Sequence, residues 1–172
     1  MNPMLRLCED VLSNHAAIEL PAHPRMIFVV HGSIAIADRT LRDDEAFGGE
    51  CAIMLKAGSA GATVWRWELI TREADFGPPG SGIISHEKLA AMLSTVPAGA
   101  LLLRGDSVAF PPGGCAYLHR HQGPGIRCLI EGGIASTPMA APPHTARAAP
   151  GMRPGLTVYS RKRPIARRVS SG

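Results

Sequence analysis

Residues 62–69, ATVWRWEL, alternate so strictly that an extended chain sends Ala62, Val64, Arg66 and Glu68 to one side and Thr63, Trp65, Trp67 and Leu69 to the other. This is the pattern of a half-buried antiparallel strand. The alternating aromatics read as core packing, which leaves Glu68 on the polar face with no evident partner. Other stretches share the texture. MIFVVHGSIAIA (26–37) alternates around Gly32, where a bend or bulge fits, and CAIMLKAG (51–58) and ALLLRGDSVAF (100–110) read as further strands. Two short helices are expected among them. One is amphipathic, over MLRLCEDVLS (4–13) with Leu5, Cys8 and Leu12 at helical spacing; the other runs through HEKLAAML (86–93) behind Ser85 as its cap. Short strands separated by Gly and Pro predict a mainly β fold, an antiparallel barrel or jelly roll with two short helices.

At 172 residues, the chain is long enough for one domain with a sizeable core. The apolar runs at 26–30 and 98–103 are too short to span a bilayer, and no basic region, apolar stretch and cleavage site open the sequence, so the expectation is an unprocessed soluble protein with no membrane partner. Cys8, Cys51, Cys115 and Cys128 are widely spaced with no C-x-x-C pair, the usage of reduced thiols in a cytoplasm. The net charge of +4 is unevenly spread. Residues 135–172 hold seven Lys or Arg and no acid, leaving eleven bases against fourteen acids in residues 1–134. Nucleic-acid binding would rest on that tail alone, which has no Phe or Trp, and it ranks last among the functions weighed.

Chemistry is expected in residues 110–134, FPPGGCAYLHRHQGPGIRCLIEGGI. On a strand, His119 and His121 project to the same side, as two ligands of one metal must. If a strand follows the Gly-Pro-Gly turn, Arg127 shares a face with Leu129 and Glu131. A guanidinium there can hold a carboxylate through two hydrogen bonds, or pair with Glu131. Tyr117 and Gln122 complete the expected ligand-binding set.

The stretch HRHQGPGIRCLIEGG resembles the first conserved motif of the cupins, in which a histidine pair on one strand precedes a turn and an apolar strand ending in Glu-Gly. MIFVVHGSIAIADRTLRDDEAFGGECAIMLKAG looks like a degenerate second copy with VVHG in place of that ending. The resemblance covers residues 25–134 and implies a small two-unit barrel: a degenerate unit at about 25–75, a linker and helix at 76–97, and a second unit at 98–134, after an N-terminal helix and lead-in at 1–24. It also implies a pocket holding a divalent Fe, Mn, Ni or Zn ion. Two departures stand out. The family's glutamate seven residues before the glycine of Glu-Gly, Gly132 here, is Gly125 in this chain, and no second histidine motif follows. Two readings of the histidine pair therefore stay open, metal ligands or imidazoles lining a metal-free pocket.

The pattern stops after Ile134. Residues 135–172 have six prolines and no sustained period of 2 or 3.6, the composition of a disordered segment or of a shifted reading frame. Codons for residues 139–161 permit, in another frame, a text containing Gly-Pro-Gly-x-Ala-Trp-Tyr-Glu, similar to the missing later strands of a cupin unit. A chain truncated in this way leaves open edges and is prone to associate. The functional expectation is a cupin-like protein that binds a small molecule, acting as a metal-dependent isomerase or dioxygenase on an oxygenated or carboxylate substrate, and forming a homodimer. The alternatives are a metal-free ligand-binding or sensory cupin and an inactive truncated one.

Overall fold

The computed structural model describes residues 3–71, 80–93, 101–116 and 123–133. The chain divides into two units, Met1–Gly105 and Asp106–Gly172.

The first unit is an antiparallel sheet of seven strands: β1 (Met4–Leu12), β2 (Ala17–Leu20), β3 (Arg25–Ile36), β4 (Arg39–Arg42), β5 (Ala46–Gly49), β6 (Ile53–Ile70) and β7 (Ile83–Met92). The order is β4-β3-β6-β1-β7, with β2 also paired to β6 and β5 to β3. Among the described residues the sheet stays open, with β4 and β7 at its ends. Neither expected helix is present. Residues 4–12 form β1, which pairs with β6 on one side and β7 on the other, and residues 83–92 form β7. A ten-residue helix is marginal alone. Pairing along its whole length with β1 outweighs the helix preference of Glu87, Lys88, Leu89 and the two alanines. Ser85, expected as a cap, lies within β7 opposite Asp10.

The expected strands at 51–58 and 62–70 join into the single eighteen-residue β6. Two glycines let β3 and β6 bend together. Gly32 has φ +90° and sits between register shifts of β3 against β6; a Cβ there would lie 2.3 Å from the Gly61 carbonyl oxygen. Gly61 has φ +76°, and a Cβ on it would lie 2.6 Å from the Leu12 carbonyl. Both positions need positive φ and close backbone approach, so only glycine is accommodated without movement.

Along β6 the alternation holds, with the charged side turned inward. Val64, Arg66 and Glu68 are buried with Ile27 and Val29 of β3 and Cys8 and Asp10 of β1, which the register places beside them. The apolar core continues from there through Leu12, Leu20, Ile34, Ile36 and Leu55. Trp65 is buried on the opposite face, where it tilts against Phe28 at 6.5 Å and meets Trp67 edge-on at 6.3 Å. The sheet is thus buried on both faces around β1 and β6.

In the second unit the described residues form no strand. Pro111–Gly114 is a tight turn closed by the Gly114 N–H donating to the Pro111 carbonyl at 2.8 Å. No helix among the described residues is long and apolar enough to cross a membrane.

Candidate functional site

Four of the five residues singled out from sequence, Tyr117, His119, His121 and Gln122, lie outside the described residues. The fifth, Arg127, is half-buried within residues 126–130, all half-buried and in no strand, while Glu131 is exposed. With no alternation of burial there, the expected strand face shared by Arg127, Leu129 and Glu131 is not formed among these residues. The domain limits and tail expected at 135–172 also extend beyond the described residues. Among those described, no three His, Cys, Asp or Glu side chains group to hold a metal ion.

The described residues do contain a concentrated set of ionisable groups that sequence reading overlooked. Arg6, Asp10, Arg25, Arg66 and Glu68 are all buried. The register puts Arg6 of β1 and Arg25 of β3 directly opposite Glu68 of β6, one on each side, and Cys8 opposite Arg66. Glu68 Oε2 accepts from Arg6 Nη2 at 2.8 Å and Arg66 Nη1 at 2.5 Å, and Oε1 accepts from Arg25 Nε at 3.2 Å. Arg66 also grips Asp10 with two bonds, Nε to Oδ2 at 2.9 Å and Nη2 to Oδ1 at 3.1 Å. Arg25 donates onward to the Cys51 carbonyl at 2.9 Å and to the Pro21 carbonyl, which ties two chain turns to the same centre.

Five full charges in an interior are tolerable only when each is paired and hydrogen-bonded. Here each carboxylate oxygen accepts from a guanidinium. Burial by itself raises the Glu68 pKa, but Arg66, Arg6 and Arg25 overcome it and hold the carboxyl below its usual range. Burial lowers that of Arg25, and Glu68 offsets only part of the effect. For Arg66 burial is outweighed by the hydrogen bonds and charge of Asp10 and by the charge of Glu68, so its pKa rises. The Cys8 thiol, fully enclosed beside this set, is pushed up to about 11 by burial, against the lowering influence of Arg66 and Arg6. It is therefore a neutral thiol at pH 7 and a poor nucleophile. Three arginines against two carboxylates leave one surplus positive charge, and carbonyl oxygens take part of it through Arg25. The geometry suits holding β1, β3 and β6 in register, with every oxygen of its two acids engaged by a guanidinium.

A second carboxylate cluster lies on the opposite face. Glu9 Oε2 accepts from Trp65 Nε1 at 2.7 Å and from Lys88 Nζ at 2.9 Å, and Oε1 is 3.3 Å from His86 Nε2. Lys88 also stands 5.6 Å over the Trp65 ring, a cation–π distance. Burial raises the Glu9 pKa, but the bonds from Trp65 and Lys88, with the nearby charges, leave it lowered. This cluster is partly wet, with His86 about half exposed.

The sequence held one usable signal for the buried set. Arg66 and Glu68 on one face of β6, and Arg6 and Asp10 on one face of β1, are opposite charges at even spacing. Unlike a lone buried charge, such pairs can enter a core together. Of the four cysteines Cys8 is buried, Cys128 half-buried, and Cys51 and Cys115 exposed. Compared with protein-family models, with curated proteins and with solved structures, the chain matches none.

Proposed function

We propose that this chain is a cupin-like small-molecule-binding protein of the reduced cytoplasm. In this reading its strands are those of a jelly-roll barrel, and His119 and His121 hold a divalent metal ion. Arg127, with Tyr117 and Gln122, binds a small oxygenated or carboxylate substrate, and the reaction is of the isomerase or dioxygenase type. One observation carries the reading: the H-x-H pair stands between FPPGG and a Gly-Pro-Gly turn that leads into L-x-E-G. The antiparallel sheet is in keeping with the mainly β part of this reading. A bound metal would supply Lewis-acid polarisation of a substrate oxygen. Arg127 would orient a carboxylate through paired N–H donors.

Metal analysis of the purified chain tests this. The expected result is a first-row metal bound to the wild type and lost in His119→Ala; no bound metal in either removes the metal-dependent version. A metal-free ligand-binding or sensory protein is favoured by a specific observation, Gly125 standing where the resembled family carries a glutamate ligand, because two imidazoles are fewer than the three protein ligands usual in catalytic sites. An inactive truncated cupin follows if the gene shows a frame change near codon 134.

A further inference from the structure

We draw no further inference here: the strongest candidate, the outer edge of strand β7 with the exposed side chains of Ile84 and Met92, carries none, because nothing in the structure shows what covers it.

Discussion

Glu68 and Glu9 sit on opposite faces of one sheet, and each carboxylate faces three donors. Around Glu68 these are Arg6, Arg25 and Arg66, with side chains at most 5 % exposed; around Glu9 they are Trp65, Lys88 and His86, and Glu9 itself is 19 % exposed. Similar chemistry in two dielectrics has different consequences. Water can replace the partners of Glu9 when one is lost, whereas nothing replaces those of Glu68. The inner cluster is therefore a fixed part of the fold, and the outer one is a partly exposed patch across β1, β6 and β7.

The largest effect is expected from breaking the inner set. Glu68→Ala leaves three buried guanidiniums without their common acceptor and should cost about 3–5 kcal/mol, read from the midpoint of urea unfolding. Replacing Asp10 and Arg66 together by apolar residues of similar volume should cost far less than Asp10→Ala alone, because the pair leaves together and the buried surplus stays at one positive charge instead of rising to two. If Asp10→Ala proved as mild as the double replacement, the network would not be the closed unit described.

The Cys8 thiol provides an alkaline counterpart. Its folded pKa, about 11, lies above the ordinary value of 9.0, so its contribution is complete below about pH 9 and is lost as pH rises through 11. That difference amounts to roughly 2–3 kcal/mol. Stability of the wild type should decline over this window, and Cys8→Ala should flatten that part of the profile even if the variant is less stable throughout. In acid the sign reverses. Glu68 is held below its unfolded value, so its contribution is present above about pH 4.3 and disappears as pH falls through the folded pKa. The acid limb should be shallower in Glu68→Gln than in the wild type.

The smallest effect belongs to the outer cluster. Lys88→Ala removes one partly exposed partner of Glu9 and one cation–π contact, and should change stability by about 1 kcal/mol or less, with the ionic part fading in high salt. An effect as large as that of Glu68→Ala would erase the distinction between the faces.

Much of the sheet is legible in the sequence. The alternation of residues 62–69 and the bulge at Gly32 both appear where the residue pattern puts them, because period-two alternation and positive φ at glycine are local properties. The misread segments fail for an equally physical reason. β1 is buried on both faces, so Leu5, Leu7, Cys8 and Leu12 need not alternate with polar residues, and the apolar spacing at 5, 8 and 12 imitates a helix. HEKLAAML is composed largely of helix formers, but β1 decides its conformation. The ion network is non-local. Arg6 and Arg25 reach Glu68 across 62 and 43 residues of sequence, and Arg66 reaches Asp10 across 56. Only the Arg66–Glu68 bond, two residues apart on β6, falls within a short window of sequence. The proposed site depends most heavily on sequence, since His119 and His121 enter through spacing and resemblance, and Arg127 joins them as the one member with a described, half-buried position.

In the proposed reading ligand recognition belongs to residues 110–134 while the charges of the sheet serve the fold. A thermal-shift panel of small carboxylic acids tests it most directly, comparing the wild type with Arg127→Ala and Lys88→Ala. An acid at about 100 times its dissociation constant should stabilise the wild type by about 2.7 kcal/mol. That shift should vanish in Arg127→Ala and persist in Lys88→Ala. A shift that survives Arg127→Ala, or no shift in the wild type with any acid, would contradict the claim.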